Sequence, residues 1–343
     1  MAERGTFTRT EILSQPEAWA DALSVVEKGK SELAKLFAAD YDQVLFTGCG
    51  STYYLSLAAA ALYQEMTGKL ARAVPGGELL LNGQTALTNG ETLLVAVSRS
   101  GSTTETVRAV EQFKKQNLGP VIAITNYGAE PLAGLADVAL VIEKGQEESV
   151  AQTRSFASMY VAATAMTLAA AGNENLRRAM SKLPDAGTKL LARYEPVARE
   201  FGENQNFDRF YFLGSGGRYG LACEVNLKMK EMTLTHSEPF HFLEFRHGPM
   251  SMVTESAVVV GLLSEKNSSH EQAVLNEMQA KGGQVLALAE TGAKISFESR
   301  IPESARNVLY LPILQLMAFY RSLAKGLNPD RPNNLTAVVK LNL

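Results

Sequence analysis

The run Ser98-Arg99-Ser100-Gly101-Ser102-Thr103 places four hydroxyls and a glycine within six residues. It follows the apolar run Leu93–Val97 and precedes Thr104-Glu105-Thr106-Val107, where a helix should start. Unpaired N–H groups and the positive dipole end of a helix start favour an anion. Hydroxyls beside them can surround a phosphate, and glycine lets the backbone approach closely. An ordinary N-cap needs one or two hydroxyls; four exceed that need. Arg99 could add charge. An earlier turn, Gly48-Cys49-Gly50-Ser51-Thr52, is a weaker signal, because it lacks the full dinucleotide spacing. No G-x-x-x-x-G-K-[ST] loop is present.

A second constellation lies further on. Glu224, Lys228 and Glu231 are spaced i, i+4, i+7 and share one helix face. Such spacing is commonly a solvated face laced with ion pairs. The next segment, from His236 to Pro249, holds three histidines and three phenylalanines, a composition suited to a site. Zinc ligation by His241, Glu244 and His247 is disfavoured, because no helical H-E-x-x-H spacing exists.

These residues need elements to position them, and the chain repeats itself. LFTGCGSTYYLSLAAAALY from Leu45 parallels YFLGSGGRYGLACEVNLKM from Tyr211. LLVAVSRSGSTTETVRAVEQF parallels VVVGLLSEKNSSHEQAVLNEM, and VIAITN parallels VLALAE. Each half reads strand–helix–strand–helix–strand with short apolar strands, the pattern of a parallel sheet covered on both faces. The fold class is therefore α/β: two tandem domains, each a doubly wound parallel sheet, with ligands expected beyond the carboxyl ends of the strands. The expected boundaries are 1–35 for an N-terminal helical segment, 36–175 for the first domain, 176–205 for a helical connector and 206–343 for the second domain with its tail. The second half's loop, Ser264-Glu265-Lys266-Asn267, carries an acid and lacks the glycine, so it reads as a decayed copy that binds no phosphate.

The 343 residues suit two domains. A net charge of −3 leaves no electrostatic footprint for nucleic acid. No apolar run approaches the roughly 18 residues a membrane span needs, and the N-terminus has no signal-peptide core. Cys49 and Cys223 are too few for a disulfide framework, so the cytoplasm is the expected compartment and both read as buried small residues.

Together the SRSGSTTET loop, VAQTRSF, CEVNLKMKE and EFRHGP resemble the sugar-isomerase (SIS) family. More narrowly they resemble the isomerase half of glutamine–fructose-6-phosphate aminotransferase and its stand-alone relatives, among them tagatose-6-phosphate ketose/aldose isomerase-like proteins and amino-sugar-phosphate deaminases. The resemblance runs from Thr10-Glu11-Ile12 to the NPDRPNNL tail. It implies a phosphosugar isomerase or amino-sugar-phosphate deaminase/isomerase that moves a proton between C1 and C2 of a hexose or hexosamine 6-phosphate. Residue 2 is Ala and the isomerase-like region begins almost at once, so no glutaminase activity is expected. A fructosamine-6-phosphate deglycase and a non-catalytic sugar-phosphate regulator are the alternatives.

By the same resemblance, Ser98, Arg99, Ser100 and Thr103 fall on the phosphate loop, with Arg99 replacing a glutamine. Ser51 and Thr52 fall on a turn contacting phosphate and sugar, and Val150 and Gln152 on a segment reaching sugar hydroxyls. Lys228 and Glu231 match the catalytic lysine and glutamate. His247 matches a ring-opening histidine that crosses from a neighbouring subunit, which implies a homodimer or higher assembly. Ala337 stands where the synthases carry a Schiff-base lysine, and Lys340, three residues on in an extended tail, would point the other way. No metal or other cofactor is expected.

Overall fold

The apolar runs become parallel strands in both halves. In this computed structural model, which describes residues 3–88, 90–339 and 341, two five-stranded sheets form. The first contains β1 (Gln43–Gly48), β2 (Ala71–Pro75), β3 (Thr92–Ser98), β4 (Val121–Thr125) and β5 (Val138–Val141). The second contains β6 (Arg209–Leu213), β7 (His236–Phe240), β8 (Ala257–Leu262), β9 (Gln284–Ala289) and β10 (Ile295–Ser296). Their orders are β2-β1-β3-β4-β5 and β7-β6-β8-β9-β10, and every pairing among the described residues is parallel. The same topology twice is what the repeat predicts. β1, β3 and β8 are buried along their whole length, which is why they read as unbroken apolar runs rather than alternating ones.

Strand order reverses between β1 and β3, and between β6 and β8. Loops leaving a sheet at such a point open a crevice at the carboxyl edge. The hydroxyl-rich turn follows β3 and the first G-x-G turn follows β1, so they are neighbours at one switch point.

The compact units cut across the boundaries expected from sequence. One, here the N-terminal unit, comprises Gln15–Glu147, Arg154–Ser181 and Thr336–Leu343. The other, the C-terminal unit, comprises Met1–Ser14, Glu148–Thr153 and Lys182–Leu335. The first helix, Thr6–Leu13, thus packs with the second sheet's unit, against the helix Leu311–Ala324. Each unit also holds a short segment from the other half of the chain. The long helix Leu183–Glu203 lies where the connector was expected, within the C-terminal unit. Among the described residues no helix is long and apolar enough to cross a membrane.

Candidate active-site elements of the two units

In the N-terminal unit the turn after β3 is fixed by its carbonyls. The Arg99 carbonyl accepts from Asn126 N–H at 3.1 Å and Thr125 Oγ1 at 3.2 Å, and the Gly101 carbonyl accepts from Leu132 N–H at 2.9 Å. The Ser98 and Thr103 hydroxyls lie 3.1 Å apart, Ser98 Oγ accepts from Gly101 N–H at 3.2 Å, and Ser100 Oγ accepts from Ser102 N–H at 3.2 Å. Gly101 has φ +66°. A Cβ there would meet Glu130 Cβ at 2.9 Å and Thr125 Oγ1 at 3.2 Å, so only glycine fits. Thr103 sits at the N-cap of the helix Thr104–Lys115, yet its side chain makes no capping bond. The Thr103 hydroxyl is therefore not spent on an ordinary N-cap.

Arg99 does not extend this cradle in an obvious way. It is 7% exposed, its guanidinium lies 3.8 Å from the fully buried Glu147 carboxylate, and it donates to the Ala337 carbonyl at 2.7 Å. Two of the positions at which the chain departs from the resembled pattern, Arg99 and Ala337, thus touch each other. Leu341 N–H donates to Thr104 Oγ1 at 3.1 Å, so the tail lies along the start of this helix. Lys340 is outside the described residues.

In the turn after β1, Ser51 and Thr52 are buried. Thr52 Oγ1 accepts from Cys49 N–H at 2.9 Å and donates to the Cys49 carbonyl at 3.0 Å. Its hydroxyl therefore closes its own turn. Burial raises the Cys49 thiol above its ordinary value, and the Cys223 thiol is pushed up to about 11 by the same cause.

In the C-terminal unit, the face carrying Glu224, Lys228 and Glu231 is not solvated. The helix Gly217–Thr233 packs against β6, β7 and the helix Leu311–Ala324. Glu224 is 0% exposed and Lys228 1%. The Lys228 ammonium lies 3.3 Å from Glu224 and 2.5 Å from Glu231, whose side chain is 21% exposed. Burial alone would lower the pKa of Lys228. The two carboxylates outweigh it, and the value is raised. The result is a buried cation between a sequestered carboxylate and one that reaches solvent. Sequence spacing put Glu224 on this face but gave it no role; its i−4 relation to Lys228 was the available signal.

This 17-residue helix spans about 25 Å and returns from the carboxyl edge of the sheet to its amino edge. Lys228 and Glu231, in its last turns, lie toward the amino edge. That differs from the expectation that ligand-binding groups sit beyond the carboxyl ends, which the turn after β3 does meet.

The aromatic segment after β7 also reads differently in three dimensions. Phe242 and Phe245 are buried with Tyr211, Val274, Leu275 and Met278, on the sheet face covered by the helix Ser268–Ala280. They are core residues that seat the segment. Arg246 clasps Glu277 through Nε at 2.8 Å and Nη2 at 2.5 Å. His241 stacks on Tyr219 with centroids 4.0 Å apart, and burial lowers its pKa. His247 is exposed. Side chains alternate along β6, so Phe210 and Phe212 face the opposite side from Tyr211. Arg321, from the helix that packs against Gly217–Thr233, stacks on the Phe210 ring. The Lys228–Glu231 helix and the His247 segment therefore cover opposite faces of one sheet.

The turn after β8 is filled from within. Glu271 Oε2 accepts from Ser264 N–H at 2.6 Å and Ser264 Oγ at 3.0 Å, and Arg218 Nη2 lies 3.2 Å from Glu271 Oε1. A carboxylate occupies the donors that an exogenous anion would need. Val150 and Gln152 lie in the short segment Glu148–Thr153 of this unit, and Gln152 Oε1 is buried with no hydrogen bond among the described residues. Among those residues no cluster of three or more His, Cys, Asp or Glu is placed to hold a metal.

Comparison with known proteins agrees with this architecture. The chain is 28% identical to a glutamine–fructose-6-phosphate aminotransferase (isomerizing) of Pyrococcus horikoshii over 99% of its own length but only 59% of that protein. A crystal structure of tagatose-6-phosphate ketose/aldose isomerase from Escherichia coli superposes with a TM-score of 0.86, at 25% identity, covering 96% of each chain. One of glucosamine-6-phosphate deaminase from Thermotoga maritima gives 0.81 at 28% identity, covering 98% of this chain and 100% of that one. The SIS domain model matches residues 38–169 and 205–320, one stretch for each sheet, and with both stretches matched the chain belongs to the SIS domain family.

Proposed function

We propose that this chain is a phosphosugar isomerase or amino-sugar-phosphate deaminase/isomerase acting on a hexose or hexosamine 6-phosphate. The observation that carries the reading is the Glu224–Lys228–Glu231 triad: a carboxylate partly open to solvent, gripped by an ammonium that a second, fully buried carboxylate keeps charged. The activities for which the E. coli and T. maritima relatives are named support the substrate class.

In this reading Glu231 takes the proton from one of the two carbons C1 and C2 and returns it to the other through an enediol or enolamine, a contribution of typically ~10²–10⁴-fold. Lys228 stabilises charge developing on the substrate oxygen or nitrogen. With an amine at C2, proton movement gives an imine that water hydrolyses, releasing ammonia and a ketose. Ser98, Ser100, Thr103 and Ser51 hold the phosphate, so binding energy remote from the chemistry is available for positioning. Gln152, whose buried oxygen has no donor among the described residues, and Val150 meet the sugar. His247 opens the ring. It covers the sheet face opposite Glu231, which supports the reading that the histidine comes from a second copy in a homodimer or larger assembly.

The test is incubation with a panel of hexose and hexosamine 6-phosphates and with fructosamine 6-phosphate, followed by NMR. Ketose–aldose conversion or ammonia release is expected. Release of an amino compound from fructosamine 6-phosphate alone would make the protein a deglycase. Binding without turnover across the panel would make it a sensor. Gly101→Ala should weaken hexose 6-phosphate and inorganic phosphate alike by about tenfold, because the strained position costs on the order of 1–3 kcal/mol; calorimetric titration with each ligand measures it. Unchanged phosphate affinity would remove the turn from the phosphate site.

A further inference from the structure

Two motifs near the ends of the chain, Thr10-Glu11-Ile12 and Asn328–Leu335, have no part in the chemistry above, yet they meet at one place. Glu11, only 3% exposed, accepts from Glu148 N–H at 2.6 Å and Ser149 N–H at 3.2 Å through Oε1, while its Oε2 accepts from the Ser149 hydroxyl. The Asp330 carboxylate accepts from Thr8 N–H and Thr8 Oγ1, both at 2.8 Å, and its backbone carbonyl accepts from Val150 N–H at 3.1 Å. Arg331 donates to the Glu148 carbonyl at 3.3 Å, and Gln315 to the Thr153 carbonyl at 3.3 Å. The segment 148–153 has no helix or strand of its own. Its backbone is held instead by the first helix, by the last helix and by the residues that follow it, all within the C-terminal unit.

We propose that Glu11 is a positioning residue: through the amides of Glu148 and Ser149 it sets the segment that presents Val150 and Gln152, and thereby controls affinity for the carbohydrate part of the substrate and not for the phosphate. This rests on the functional reading above, which assigns Val150 and Gln152 to the sugar. The chemistry favours a carboxylate. Each bond named above to Glu11 comes from a donor, and an ionised carboxylate is acceptor-only, with room for several. Glutamine of the same shape has one acceptor oxygen for the two amides, must reverse the Ser149 hydroxyl contact through its NH2 group, and loses the charge assistance that roughly doubles the strength of such bonds. The backbone of the phosphate turn is held by its own contacts to Thr125, Asn126 and Leu132, so its hydroxyls are expected to keep their places when Glu11 changes.

The test compares wild type with Glu11→Gln by hydrogen exchange and by steady-state kinetics. Amide exchange across 148–150 should rise about tenfold or more while the helix Gly217–Thr233 stays protected. KM for hexose 6-phosphate should rise about tenfold to a hundredfold, with the inhibition constant of inorganic phosphate unchanged, and Glu11→Asp should recover part of the loss. Should Glu11→Gln not fold, Ser149→Ala, which removes the hydroxyl donor named above and keeps both amides, carries the same measurements with a smaller effect. Unchanged exchange at 148–150, or a parallel fall in phosphate affinity, would overturn the proposal. If the wild type binds no sugar phosphate, the functional reading fails by itself, and exchange still decides whether Glu11 holds the segment.

Discussion

Glu231→Gln is expected to abolish detectable turnover while leaving hexose-phosphate affinity within about tenfold, because the phosphate grip and the base are separate groups. Glutamine keeps the shape of the side chain and removes only its capacity to take a proton, so the loss reports the proton-transfer step. Lys228 keeps its partner Glu224 at 3.3 Å, and the helix should remain folded. The measurement is NMR of the substrate in deuterated water. Wild type should wash deuterium into the carbon that accepts the proton, and the variant should not. Full activity would remove Glu231 from the mechanism.

Lys228→Met should destabilise the protein by about 3–5 kcal/mol, since removing one partner of a buried pair strands the other charge. Glu224, with no exposure, is that charge. The double variant Glu224→Gln, Lys228→Met should recover most of the loss, because a neutral pair of similar volume leaves no uncompensated ion. Chemical denaturation of the two singles and the double measures this coupling. Additive losses would mean that the pair does not act as one. The pH dependence follows from the raised pKa of Lys228. Its contribution to stability is complete below the ordinary lysine value of 10.5 and is lost as pH rises through the higher folded value. The cation therefore stays charged through neutral pH, and a fall in activity near neutrality would have another origin.

The sheets were readable because buried parallel strands leave a mark no polar segment shares, and because the chain writes that mark twice. The turn after β3 was readable because its hydroxyls and glycine are contiguous. Other features depend on what packs against them. The i, i+4, i+7 charges of Glu224, Lys228 and Glu231 look the same on a wet face as on one pressed between a helix and a sheet. Phe242 and Phe245 drew attention to a loop whose aromatics serve the core. The direction of Arg99 was unreadable because Glu147 and Ala337 lie far from it in sequence. The exchange of short segments between units, with Thr6–Leu13 and 148–153 joining the second sheet's unit, is set by hydrogen bonds across more than a hundred residues, such as Glu11 to Ser149, and no local pattern announces it.

The side chain lodged in the turn after β8 bears on how a doubled fold divides its labour. An acid that is part of the polypeptide acts at the effective concentration its attachment sets, so a dissolved anion would have to displace Glu271 from the Ser264 donors it already holds. The turn after β8 is thereby closed by its own chain, and under the proposed reading the turn after β3 is the one of the two left for a phosphate, while the unit of β8 contributes through its Glu224–Lys228–Glu231 helix instead.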